Sequence, residues 1–135
     1  MDNNFSYLLL NDQGLRAGAR GLEIDVRLPW YRSMPVSVVE VASLAVDDHP
    51  VAPERIRFEI NGKSFQLAEL PEQVEEFWFV LDRAVLRVPG LKAEAGTNHR
   101  VELQLNLYPP YIPHLTWVTR ASKALRANQT SQVTP

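Results

Sequence analysis

The chain contains no cysteine in its 135 residues. That absence excludes a disulfide framework and thiolate zinc sites, and it is compatible with a reducing compartment. Charge of one sign is not in excess either, with 14 Lys and Arg against 16 Asp and Glu, a net charge of -2, and the two signs interspersed along the chain. Nucleic-acid and membrane-surface binding are therefore disfavoured. Met1-Asp2-Asn3-Asn4 carries no basic region, and the nearby apolar run Tyr7 to Leu10 is far too short for a signal-peptide core or a membrane span. A cytoplasmic protein is expected. There is no internal repeat and no low-complexity linker, and the length suits one domain with a core that needs no staples.

Recognisable catalytic chemistry is missing as well. The sequence has no Gly-rich phosphate loop, no Gly-x-Ser-x-Gly elbow and no cysteine nucleophile. His49, His99 and His114 are far apart and fall in expected turns or loops, without the spacing of a metal-ligand set. Glu23 and Asp25 share one strand face with Arg27, and paired carboxylates can divide acid and base roles when their pKa values are driven apart. Their alternation with apolar residues reads instead as a solvated face, as do Glu72, Glu75 and Glu76 in a loop. No catalytic residue and no metal ligand is assigned to this chain.

What is present is a series of short strand signals. Leu22, Ile24, Val26 and Leu28 alternate with Glu23, Asp25 and Arg27, and Val101, Leu103, Leu105 and Leu107 alternate with Glu102, Gln104 and Asn106. Ile56, Phe58 and Ile60 lead to Asn61-Gly62 and the return strand Lys63 to Leu67, a hairpin signal because a type I′ turn needs positive φ at both central residues. Further strands are expected at Phe5–Leu10, closed by the turn Asn11 to Gly14, at Val36–Val46, and at Phe77–Leu81 paired with Ala84–Val88. Phe77–Leu81 is read as covered on both sides. Connections are too short for parallel crossovers. The expected fold is all-β, an antiparallel β-sandwich of about eight short strands, with a small β-barrel as the competing architecture. Residues 1–113 would form this single domain. Residues 114–135 would form a C-terminal tail, with Leu115–Leu125 a short helix or an extended arm and Asn128–Pro135 disordered.

The chain is organised around Arg27-Leu28-Pro29-Trp30-Tyr31-Arg32-Ser33-Met34-Pro35, where a strand runs into two prolines enclosing two large aromatics. Proline fixes φ and removes a donor, so the strand stops at Pro29 and a new one starts after Pro35. Trp30, Tyr31 and Arg32 belong to types enriched at interface hot spots. Tyr108 and Tyr111 likewise sit at a strand end beside prolines. Two readings stand: these side chains meet a partner, or Trp30 and Tyr31 fold back over the end of the core.

The run from Gly21 to Glu40, a strand leading into a Pro-aromatic-Tyr-Arg-small-x-Pro segment and then a Ser-x-x-Glu strand, resembles the opening half of C-glycoside deglycosidase beta subunits. Val46-Asp47-Asp48, Val51 to Phe58, Leu67 to Leu70, and Val101 to Leu107 followed by Tyr111-Ile112-Pro113 continue the likeness. Val41 departs from the pattern, where an acidic residue often follows, as does Asp48, where glycine is common. The resemblance implies a small β-sandwich subunit of a heteromer. Its partner is a TIM-barrel alpha subunit that holds a divalent metal, usually manganese, and the catalytic base. The complex cleaves the carbon–carbon bond between a 3-keto sugar and an aromatic aglycone such as a flavonoid. On that implication Trp30, Tyr31, Arg32, Pro35, Tyr108 and Tyr111 are the partner-binding candidates, with Tyr31 and Arg32 reaching the substrate mouth. The alternative is a free-standing β-sandwich module that binds carbohydrate or protein. It predicts aromatics repeated along one strand face, whereas these fall at strand ends.

Overall fold

The computed structural model describes residues 6–18, 21–91 and 93–129. Two sheets face each other. One runs in spatial order β12 (Asn128–Gln129), β1 (Leu10–Gly18), β2 (Gly21–Arg27), β9 (Arg83–Val88), β6 (Arg57–Ile60) and β7 (Lys63–Gln66). The other runs β11 (Trp117–Arg126), β10 (Asn98–Leu107), β4 (Val39–Val46) and β5 (His49–Pro50). A two-stranded ladder of β3 (Met34–Pro35) and β8 (Phe77–Trp78) lies at one end. All pairings are antiparallel except that of β1 with β12. Among the described residues each sheet keeps two edge strands and neither closes on itself, so the molecule is a sandwich and the barrel alternative falls away. No described helix is long and apolar enough to cross a membrane.

Alternation builds the core. Leu22, Ile24 and Val26 of β2, Ala84, Leu86 and Val88 of β9, and Phe58 and Ile60 of β6 point inward. They meet Val101, Leu103, Leu105 and Leu107 of β10 with Leu44 and Val46 of β4. The Asn61-Gly62 hairpin forms as expected, with φ of 55° and 78° at its two central residues. Asp47 and Asp48 also take positive φ, 53° and 68°, so the turn after β4 keeps the left-handed geometry that glycine would supply.

Several local expectations are corrected. Phe5 lies outside the described residues, and Ser6–Leu9 form a helical turn instead of a strand. Leu9 and Leu10 are both buried, which a turn permits and strict alternation does not. Asn11 to Gly14, expected to end a strand, is a bulge inside β1: Leu10 pairs with Val26 and Leu15 with Ile24. The Asn11 side-chain oxygen accepts the Gln13 N–H at 2.7 Å and stabilises that detour. Val36–Val38 form a 3₁₀ turn before β4 starts at Val39.

The segment Phe77–Leu81 is not a covered strand. Only Phe77 and Trp78 pair, with Pro35 and Met34, while Ala84–Val88 lies in the other ladder between β2 and β6. The largest correction concerns residues 114–129. Trp117–Arg126 is a ten-residue strand in full register with β10, and Asn128–Gln129 adds to β1, so the sandwich extends past residue 113. The helical reading of Leu115–Leu125 is overturned, and the disorder expected for Asn128–Pro135 does not hold at its first two residues. Residues 130–135 lie outside the described residues. The strand was hidden because the alternate positions Thr119, Ala121 and Lys123 carry little apolar signal. Thr119 is buried nonetheless, and the Lys123 ammonium reaches the Leu10 carbonyl at 3.3 Å and the Asp12 carboxylate at 2.9 Å.

Candidate partner-binding end

Strand β2 and strand β10 both run toward one end of the sandwich, and the connections leaving them meet there. Beyond β2, Pro29 cannot continue the ladder and residues 28–33 turn across the open end. This segment is zipped to residues 73–80 on one side. The Val36 N–H donates to Glu76 O at 2.7 Å, the Ser37 N–H to Gln73 O at 3.2 Å, and the Val80 N–H to Ser33 Oγ at 2.9 Å. On the other side the Tyr108 N–H donates to Val38 O at 3.0 Å. Three separate stretches of sequence thus form one surface.

Two tryptophans plug this end from within. Trp78 is fully buried edge-on against Phe58, with ring centroids 5.6 Å apart, and its indole N–H donates to Asp82 O at 2.9 Å. Trp30 is 5% exposed and packs edge-on against Trp117 at 5.1 Å. Of the two readings for Trp30, the structure takes the core one, since its surface is spent on its own chain. The neighbouring Tyr31 does the opposite and is 59% exposed.

Around the plugs stand side chains that are exposed despite their size. Arg32 is exposed, with its guanidinium carbon 5.0 Å from the centre of the Tyr111 ring. Tyr111, 45% exposed, accepts the Trp30 indole N–H at 2.7 Å and donates to the Tyr31 hydroxyl at 3.3 Å. Tyr108 is exposed and donates its hydroxyl to Glu40 Oε1 at 2.5 Å, where Asn106 also donates at 3.0 Å. Those bonds hold the Glu40 carboxyl below its ordinary pKa, chiefly through Tyr108, and raise the Tyr108 phenol above its own, chiefly through Glu40. Pro35 is half-buried in the β3–β8 ladder.

Sequence reasoning missed the remaining members. Val74, Phe77, Phe79 and Leu81 are all exposed, Leu81 at 78%, and Phe77 stacks on Phe79 with centroids 6.4 Å apart. Their apolar run suggested burial. The signal against it was the flanks, Glu72, Glu75 and Glu76 before and Asp82-Arg83 after, which hold both ends of the run at the water. An exposed cluster of this size, gathered at one end of the molecule and rimmed by charge, marks an interaction surface.

Two polar networks lie away from this end. Asp25 is 6% exposed, not on a solvated face: Arg16 donates to both of its carboxylate oxygens, at 2.8 and 3.0 Å, and Arg16 Nε donates to Glu23 at 3.1 Å. The Arg16 pKa is raised, chiefly by the bonds it gives to Asp25. Both carboxylates are engaged as acceptors by Arg16. Asp47 is held below its ordinary pKa, first by His99, whose Nδ1 lies 2.7 Å from Asp47 Oδ2, and next by the Arg100 N–H. Among the described residues no group of three His, Asp or Glu side chains is placed to hold a metal ion.

The comparisons with known proteins agree with one another. The chain is 38% identical over 109 residues to a Microbacterium protein named 3'-dehydrocarminate deglycosidase beta subunit, covering 81% of this chain and 82% of the relative. It is 41% identical over 102 residues to a C-glycoside deglycosidase beta subunit of Microbacterium trichothecenolyticum, covering 75% and 77%. It is 37% identical over 100 residues to one from Arthrobacter globiformis, covering 73% and 76%. Residues 9–111, which include strands β1 to β10 and the aromatic loops, match the profile of one family, and the chain belongs to it: the C-glycoside deglycosidase beta subunits.

Proposed function

We propose that the chain is the non-catalytic beta subunit of a cytoplasmic, heteromeric C-glycoside deglycosidase. It docks through its aromatic end on a larger TIM-barrel alpha subunit that supplies a divalent metal, usually manganese, and the catalytic base. The complex cleaves the carbon–carbon bond between a 3-keto sugar and an aromatic, flavonoid-like aglycone. The observation that carries this reading is the gathering of Val74, Phe77, Phe79, Leu81, Tyr31, Tyr108 and Tyr111, all exposed, on three loops tied together at one end. Burying an aromatic or leucine side chain contributes about 1.5–3 kcal/mol. Three such side chains give roughly 4–9 kcal/mol, comparable to the lower range of what association costs. The names of the relatives support a partnered subunit.

The role proposed for this chain is positional. Active sites of TIM barrels are built from mobile βα-loops, and a subunit seated on them holds reacting groups in near-attack geometry without adding chemistry. The exposed rings of this end fall in loops and at strand ends, Phe77 and Phe79 included, and do not line the face of a long strand, which speaks against a free sugar-stacking module. The test is to titrate this chain into the separately purified barrel subunit and follow turnover of a 3-keto C-glycoside. Turnover should rise from near nothing to a plateau, and the Phe79→Ser/Leu81→Ser variant should fail to reach it while melting as the parent does. A barrel subunit fully active alone, or cleavage by this chain unaided, overturns the reading.

A further inference from the structure

The aromatic end carries a cation, Arg32, that is held in place but meets no carboxylate among the described residues. Three arginines elsewhere are tied to carboxylates, Arg16 to Glu23 and Asp25, Arg83 to Asp25, and Arg87 to Glu59, and three others give their bonds to neutral acceptors, Arg57 to Ser64, Arg100 to Ser122 and Arg120 to Gln104. Arg32 has no such pair among the described residues. Its guanidinium is nevertheless held in place, 5.0 Å above the ring centre of Tyr111. Tyr111 is in turn fixed by the Trp30 indole, which is anchored in the core. The result is a planar fork presented to solvent on a rigid base, with Tyr31 beside it and the apolar loop Phe77–Leu81 tied to the adjacent Ser33.

A partner that covers this loop end strips water from the guanidinium, and an unpaired buried charge is strongly unfavourable. A free small anion does not solve the problem equally well. Arg32 and Tyr31 are both exposed, and an exposed ion pair contributes little. A protein carboxylate set among apolar side chains excludes water and pairs the charge in one step. We infer that Arg32, stacked on Tyr111 as its positioning ring, is received by an Asp or Glu side chain of the covering subunit in a two-pronged ion pair. This rests on the accessory-subunit reading above.

The test measures association of the full-length chain and its Arg32→Gln, Arg32→Lys and Arg55→Gln variants with the purified barrel subunit, at several salt concentrations. Turnover of a 3-keto C-glycoside is measured at saturating subunit. Because Arg32 is exposed, all variants should melt as the parent does. Arg32→Gln should raise Kd roughly 30-fold or more. Arg32→Lys should recover only part of the loss, because an ammonium cannot reproduce the fork. Arg55, exposed in the 3₁₀ turn Pro53–Arg55, should change nothing. The salt dependence of Kd should flatten in Arg32→Gln, and KM of the saturated complex should stay that of the parent. Unchanged Kd in Arg32→Gln overturns the inference while leaving the accessory role intact. Unchanged Kd with a raised KM overturns it in favour of a substrate anion. Failure of the parent chain itself to bind the barrel subunit overturns the accessory reading beneath it.

Discussion

Trp30 donates its indole N–H to the hydroxyl of Tyr111 at 2.7 Å, joining residues 81 positions apart in the chain. The bond ties the core of the sandwich to its exposed rim. One partner is buried and packs on Trp117; the other faces solvent and carries Arg32 on its ring. It is one of several ties at this end, beside the backbone bonds of Val36 to Glu76 and of Tyr108 to Val38, and it is the one that joins a core ring to a surface ring.

Trp30→Ala should therefore act as a core truncation in the isolated chain and cost about 3–5 kcal/mol. Tyr111→Phe removes the two hydrogen bonds of the hydroxyl, from Trp30 and to Tyr31, and should cost less, about 1–3 kcal/mol, mostly from the part-buried indole N–H that loses this acceptor. Urea unfolding of both variants measures the ranking. A Trp30→Ala chain that unfolds at the parent's midpoint would show that the indole is not part of the core.

Two glycines with similar dihedral demands should differ sharply. Gly21 has φ of 105°, and a Cβ there would lie 2.3 Å from the Val88 carbonyl oxygen, inside the β2–β9 ladder. Gly62 has φ of 78°, but a Cβ would meet nothing within 4 Å. Gly62→Ala should cost about 1–2 kcal/mol, the left-handed penalty alone. Gly21→Ala adds a backbone clash to that penalty and should lose at least twice as much, or not fold. Comparable losses for the two in thermal unfolding would contradict the close approach at Val88.

The pH dependence follows from groups at both ends of the sandwich. Glu40, Asp47 and Glu76 are all held below their ordinary pKa, by Tyr108, His99 and Lys63 respectively as the largest cause. Each contributes stability that is present above the ordinary carboxylate value near 4 and is lost as pH falls through the folded one. Tyr108 is raised, so its contribution is present below the ordinary phenol value near 10 and is lost as pH rises through the folded one. Tyr108→Phe should return the Glu40 midpoint toward that of a free carboxylate in an NMR titration and soften the alkaline limb. A Glu40 midpoint that does not move would rule out the Tyr108 bond as its cause.

Local rules were enough for much of this protein. Alternation at Leu22–Leu28, Ile56–Ile60 and Val101–Leu107, and the positive-φ demand of Asn61-Gly62, are properties of neighbouring residues, so the sandwich class and most of its eight longer strands could be read directly. The proline-bounded aromatic segment lies at the end where exposed aromatic side chains gather. What local rules could not decide was which side of a surface each residue would occupy. Trp30 became core because Trp117 and Tyr111, far along the chain, close over it, while Tyr31 beside it stayed outside. Phe77–Leu81 looked buried and is exposed, because Trp78 alone faces the core and the β3 ladder offers its neighbours no second layer. Trp117–Arg126 looked like a tail and is a strand, because its pairing comes from the long β10 and its inward positions are covered by β1 and the Ser6–Leu9 turn. Side-chain period is written in the sequence; burial depends on which distant segment arrives to cover a face, and only the tertiary structure settles that.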